Sequence, residues 1–293
     1  MKSKQYTAYL LLFLANLFFA INFTVAKEVM PKYLTPFTFI FFRVAGASVL
    51  FTIYHLLFIK EKVKKKDFKL LFFCSLFGVS LNQLLFFKGL DWTSPINGAL
   101  IMTMTPITVA IASFIILKER LTKLKILGVF LGVLGASTLV LYGKSIHFKV
   151  GDILILLNAF SYAIYLVMVK PLLQKYQPVT ILRWIFTFGL IIVIPAVIIE
   201  NPQISFQEFP TKIWWYIAYV VVFVTFLAYL FNAWALKKIS SSVVSMYIYL
   251  QPVLATVIAL VFFKATLSFT QVLAGILVFT GVYFVSRPVQ LLE

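Results

Sequence analysis

The sequence predicts an all-α integral membrane protein: ten transmembrane helices, arranged as two inverted five-helix repeats, with both termini in the cytoplasm. Three observations predict it. The chain is 62% hydrophobic and only 12% charged, where a soluble domain is nearer half apolar and a quarter charged. Its lysines and arginines gather in alternate loops between apolar segments. Its second half repeats landmarks of the first at an offset of 146 residues.

Composition also removes other classes. The formal net charge of +17 would suit nucleic acid only if it formed a basic stripe on a soluble face. Here the charges sit in short loops, so no nucleic-acid partner is expected. The single cysteine, Cys74, lies in an apolar segment. It excludes an intramolecular disulfide and indicates no zinc site. No cofactor and no metal is expected.

A helix crossing about 30 Å of hydrocarbon needs roughly 20 apolar residues. Ten segments meet that demand: 6–26, 36–59, 68–88, 97–117, 124–142, 152–171, 180–199, 213–235, 242–263 and 270–286. The first is longer than the apolar core of a signal peptide. Its far end, Thr24-Val25-Ala26-Lys27, offers no small-x-small cleavage site. It is therefore read as a span.

Cytoplasmic loops carry the excess of Lys and Arg. With the N-terminus inside, 17 basic residues fall inside, from Lys2 and Lys4 through the Lys60–Lys69 cluster to Arg287. Seven fall outside (Lys27, Lys32, Lys88, Lys144, Lys149, Lys212 and Lys264), and Arg43 and Arg183 fall within spans. This places both termini in the cytoplasm of a multi-pass protein of the cell (inner or plasma) membrane. Anionic lipid at the inner surface accounts for the basic charge. A lipid bilayer and a small-molecule substrate are the expected partners. A monomer suffices for these features, and the sequence specifies no oligomer.

At the offset of 146, Leu90 falls on Leu236, Ser94 on Ser240, Pro106 on Pro252, Lys118 on Lys264, Leu121 on Leu267, Leu127 on Leu273, Leu131 on Leu277 and Gly135 on Gly281. The fronts of the halves match nearby, Phe19–Lys27 (FAINFTVAK) against Tyr162–Lys170 (YAIYLVMVK). The expected halves are residues 1–146 and 147–293. Five spans is an odd number, so the second half enters the membrane inverted, a plan that recurs in secondary transporters. Pro106 and Pro252 lie about ten residues into their spans, near mid-membrane. Proline at that depth needs neighbours that satisfy the freed carbonyls. The pair is expected to act as hinges or gates, against the plainer reading of two helix kinks.

Several residues also resemble a known family. Lys118-Glu119-Arg120-Leu121-Thr122 closes the fourth span, Pro106 lies within it, and Gly128 and Gly135 lie in the fifth. Ala235–Ser242 (ALKKISSS) leads to Pro252, and Asn22-Phe23, Lys27, Pro36 and Arg43 form an opening pattern. Over nearly its whole length the chain resembles the EamA-like family of the drug/metabolite transporter superfamily. The resemblance implies a ten-span fold, cytoplasmic termini, a central substrate cavity and export of amino acids or other metabolites. Lys264-Ala265-Thr266 stands where the family repeats its acidic residue, and Arg183 is two residues short of matching Arg43.

Polar groups within spans tend to face the bundle interior. Asn158, Tyr162 and Tyr165 share one face of the sixth span, matched in the first by Ala15, Phe19 and Asn22. Ser245, Tyr249 and Pro252 share a face of the ninth, matched in the fourth by Ala99, Thr103 and Pro106. Asn82 and Gln83 lie towards the outer end of the third. The candidate substrate contacts are Phe19, Asn22, Asn82, Gln83, Thr103, Asn158, Tyr162, Tyr165, Tyr249 and Gln251. The competing reading is interhelical glue, at about 0.6–2 kcal/mol per group. Gly128, Gly132 and Gly135 read as close helix packing. Arg43 could contact a substrate anion, or snorkel to the surface or bond carbonyls at a broken helix. The structural role is the preferred reading.

All nine carboxylates fall in loops or at span ends. Proton relays use ionisable groups inside the membrane, so coupling through a buried carboxylate is not expected. No catalytic residues are expected either. There is no HExxH, no G-x-S-x-G, and the two histidines, His55 and His147, lie far apart. The sequence thus reads as a secondary transporter of small polar metabolites, exporting amino acids or related compounds by alternating access. An antiporter of phosphorylated sugars or nucleotide sugars would call for several cavity cations. A membrane scaffold or enzyme would leave the paired prolines unexplained.

Overall fold

The structure, a computed structural model, describes residues 2–93, 98, 101–119, 121–141, 149–202, 204–263 and 269–286. They form ten main helices. These are α1 (Lys2–Val29), α2 (Pro36–Ile59), α3 (Lys65–Trp92), α4 (Thr105–Leu117), α5 (Lys123–Leu141), α6 (Val150–Lys175), α7 (Pro178–Glu200) and α8 (Thr211–Leu236). α9, residues 241–263, runs as Ser241–Met246, the 3-10 turn Tyr247–Tyr249 and Leu250–Phe263. α10 is Phe269–Ser286. The boundary expected at 146/147 and the loop Lys264-Ala265-Thr266 lie outside the described residues, as do Ser94, Arg120, His147 and Arg287.

Among the described residues six helices are long and apolar enough to cross a membrane: Gln5–Ala26, α2, α3, α6, α7 and α8. Thr105–Leu117 and Val272–Val285 are shorter apolar helices. Large side chains such as Phe58, Ile115, Phe130, Ile199, Trp215 and Phe269 stand on the outer surface. In water such a surface would drive association; in lipid it is the expected face. Helices outrun the apolar segments, as α3 does from 65 to 92, because polar residues at the ends continue the backbone bonding.

Local chemistry sets the ends. Pro36 and Pro178 open α2 and α7, where proline has no intrahelical bond to lose. Lys60, Lys118 and Asn201 close α2, α4 and α7 in the left-handed conformation. α2 and α7 then cap each other. The Glu200 carboxylate, at the end of α7, accepts from the Thr35 hydroxyl at 2.5 Å and from the amides of Thr38 and Phe37 at 3.3 and 3.5 Å. Glu61, just past α2, accepts from the Gln177 amide at 2.9 Å. Each carboxylate meets the positive, amide-bearing end of the other helix, so the two helices run antiparallel.

The remaining packing follows one rule. α1 lies against α8 and α9, and α6 lies against α3 and α4. Exchanging each first-half helix with the one five places on returns the same pattern. α5 pairs with α10. There a Cβ on Gly128 would meet the Gly281 carbonyl at 2.7 Å, and one on Gly281 would meet that of Gly128 at 2.5 Å. Only hydrogen allows the backbones this close, as at other small-residue crossings in membranes.

Candidate functional site

The helices around the middle of the bundle depart from regular α geometry in matching places. Thr103 and Met104 form a turn, and α4 resumes at Thr105. In α9 the 3-10 turn Tyr247–Tyr249 precedes Leu250. The break therefore comes before each proline. Pro106 and Pro252 sit in the first turn of a resumed helix, where the missing N–H costs nothing. α3 widens to π-helix over Leu76–Ser80 and α8 over Val220–Leu227. Those stretches overlap at the same 146-residue offset. π turns are enriched at functional sites.

Two polar clamps join the halves. Asn158 Nδ2 donates to the Asn82 carbonyl at 2.7 Å, and Asn82 Nδ2 to the Asn158 carbonyl at 3.4 Å, tying α3 to α6. Gln251 Nε2 donates to Asn16 Oδ1 at 2.9 Å, tying α9 to α1. Tyr162 and Tyr165 lie with ring centres 6.0 Å apart, and the Tyr165 ring fills the space above Gly78. Tyr249 is fully buried with its ring against Gly132 of α5. Thr103 is buried, while Phe19 and Asn22 are half-buried. The structure thus groups Asn82 with Asn158 and sets Gln251 on α1. It sets the ring of Tyr249, expected on an inner face of the ninth span, against α5.

Several of these groups lack partners. Both Nε2 and Oε1 of Gln83, Oδ1 of Asn22, Oδ1 of Asn158 and the Tyr249 hydroxyl are buried without a hydrogen bond. Each such group costs about 1–3 kcal/mol. They lie on α3, α1, α6 and α9, so the cost is shared by both halves. Water or a ligand that supplies the missing bonds removes it.

Arg43 is 6% exposed. It neither snorkels out nor bonds a carbonyl. Its Nε donates to Thr225 Oγ1 of α8 at 3.2 Å, and that hydroxyl donates to the Val220 carbonyl at 2.8 Å. Its guanidinium lies over the rings of Phe39 and Phe87, at 5.7 and 5.4 Å. Tyr229 is an electrostatic neighbour, with its hydroxyl directed to the Gly78 carbonyl at 3.5 Å.

At one end of the bundle Glu119 gathers three partners. Its carboxylate takes Lys170 Nζ of α6 at 2.5 Å, the Ser241 amide at 3.3 Å and the Ser242 hydroxyl at 3.2 Å. One first-half carboxylate thus fastens α6 and the start of α9. Sequence reasoning placed Glu119 in a loop and passed over this cluster. It also missed Asn16, because a one-residue ambiguity in the repeat offset selected Ala15. Thr225 gave no pattern at all, since a lone hydroxyl in an apolar run looks like glue. Among the described residues no group of His, Cys, Asp or Glu could hold a metal ion.

An all-helical bundle with membrane-length apolar helices and an apolar exterior defines a multi-pass membrane protein. The chain belongs to the EamA-like transporter family, which matches residues 6–141 and 149–287. It is 27% identical to the uncharacterized transporter YyaM of Bacillus subtilis (strain 168), over 98% of this chain and 96% of that protein. A WAT1-related protein of Arabidopsis thaliana is 24% identical, over 89% of this chain and 79% of its own. A solved crystal structure at 16% identity superposes with a TM-score of 0.78, covering 94% of this chain and 95% of the other, and shares the fold.

Proposed function

We propose that this transporter exports amino acids or related small polar metabolites by alternating access, through a site between two inverted halves of the chain, 1–146 and 147–293. The carrying observation is the set of buried, unpartnered polar atoms of Gln83, Asn22, Asn158 and Tyr249. A site bound by amide and hydroxyl groups suits a zwitterion better than a polyanion. A phosphorylated-sugar antiporter would need several central cations. Among the described residues Arg43 is buried there, while Lys125, also buried, lies in the first turn of α5.

Antiparallel α2 and α7 support inversion, and the breaks before Pro106 and Pro252 support paired moving segments. The basic loops support both termini in the cytoplasm of the cell membrane, and Glu119 then closes the cytoplasmic end. With no carboxylate inside the spans, the reading favours transport down the substrate gradient or by exchange over proton coupling, which would need a route other than a buried carboxylate. Uptake of labelled neutral amino acids into liposomes holding the pure protein, with no ion gradient, tests this. Saturable uptake is expected. Uptake that appears only with an imposed proton gradient would overturn the uncoupled mechanism, and none under either condition would overturn the amino-acid assignment.

A further inference from the structure

Among the described residues Arg43 meets no counter-charge. Its hydrogen bond goes through Nε to a neutral hydroxyl, and its flanks are two phenyl rings. Among the described residues it takes part in no ion pair, and neither Nη nitrogen has a hydrogen-bond partner. Ring faces attract a cation only modestly. Removing an ion from water costs several kcal/mol after relaxation, so the rings and one hydroxyl leave most of that cost standing. A purely structural arginine at this depth would be paired or bonded to carbonyls.

The surroundings point to what completes it. Thr225 is held by its own bond to Val220 in the π-helical stretch of α8, so it fixes the guanidinium by one edge. The two Nη nitrogens are left for a planar, bidentate acceptor. Phe87, against the guanidinium, lies one helical turn after Gln83 on the same face of α3. Gln83 is 4% exposed, and both polar atoms of its amide are unpartnered. A fixed cation and an unsatisfied amide therefore share one wall.

We propose that Arg43 binds the carboxylate of the transported molecule, with Gln83 meeting an adjacent polar group. This rests on the reading of the buried, unpartnered polar atoms as the substrate site, and it reverses the structural role preferred from sequence. Among the described residues no second buried cation is shown beside this guanidinium, so it matches a single negative charge. A carboxylate satisfies it, whereas a dianionic phosphate would carry its surplus charge into the bundle.

Thermal unfolding of the detergent-purified protein, followed through its five tryptophans, tests this without any transport step. The probes are sodium propionate, L-alaninamide, sodium methyl phosphate and sodium chloride at equal ionic strength. Propionate is expected to raise the midpoint saturably in the wild type, and alaninamide is not. Arg43→Gln should lose that response and, in chloride, unfold no earlier than wild type, because it removes an unpaired charge. Arg43→Lys, which keeps the charge and loses the fork, should need about tenfold more propionate or more for half its effect. An equal propionate response in Arg43→Gln would overturn the proposal, as would its absence in the wild type or a response to methyl phosphate alone. Propionate binding through Arg43 without amino-acid flux would instead sink the transport reading and leave the anion site standing.

Discussion

Gln83 is buried with both polar atoms of its amide unpartnered. Its amide could have been glue between helices, and Asn82 beside it serves that purpose by its exchange of bonds with Asn158. Sequence could not separate the two, because adjacent residues on a helix point about 100° apart and the partner helix was unknown. Gln83→Leu discriminates between the roles. It removes two unsatisfied polar atoms, so thermal stability should hold or rise by about 1 kcal/mol. Transport rate should fall by at least about fivefold, the equivalent of one lost bond. A stability loss with unchanged transport would return Gln83 to a packing role. The same logic covers Asn16, invisible in sequence yet half of the α1–α9 clamp.

At the scale of the helix, the paired prolines acquire a different meaning from a mid-helix kink. Interior proline costs about 3 kcal/mol, and replacing it should then stabilise strongly. Here the helices already break at Thr103–Met104 and Tyr247–Tyr249. Pro106→Ala and Pro252→Ala should therefore change unfolding stability by less than about 1 kcal/mol. If the breaks move during transport, both variants should slow it several-fold, as alanine lets helix grow back through the break. Unchanged rates in both would make the prolines passive markers of helix starts. α5 and α10 offer a contrasting case, legible from the glycines. Gly128→Val would drive a side chain into the Gly281 backbone, so a loss of about 1–3 kcal/mol or more is expected from overpacking. It should show as a lowered unfolding midpoint.

For the whole molecule, orientation rests on loop charge. Cys74 is buried and is the single cysteine, so Cys74→Ser leaves a clean background. Cysteines placed singly at Ser3 and Gln290 should react with a membrane-impermeant maleimide only after cells are opened, and one at Gln207 before. Labelling of the termini in intact cells would reverse the topology and move the Glu119 cluster to the outside. The pairing of α2 with α7 and of α5 with α10 makes each half dependent on the other. A lone half would leave the Glu61 and Glu200 caps empty, so the two halves expressed separately should each fail to accumulate and recover together.

An all-helical chain of about ten helices was legible in the order of residues, although among the described residues six reach membrane length and the fourth, expected over 97–117, is the shorter helix Thr105–Leu117. The hydrocarbon demands a run of about 20 apolar residues and tolerates charge only at the rim, and a linear pattern records both. The family followed from landmarks repeated in each half. What surrounds each polar side chain was not legible, because lipid-facing and core-facing positions are equally apolar here and no hydrophobic stripe marks the inner face. Helix packing alone decided that Asn82 would be satisfied and Gln83 left open, that Glu119 would bind Lys170, and that Arg43 would turn inward to Thr225.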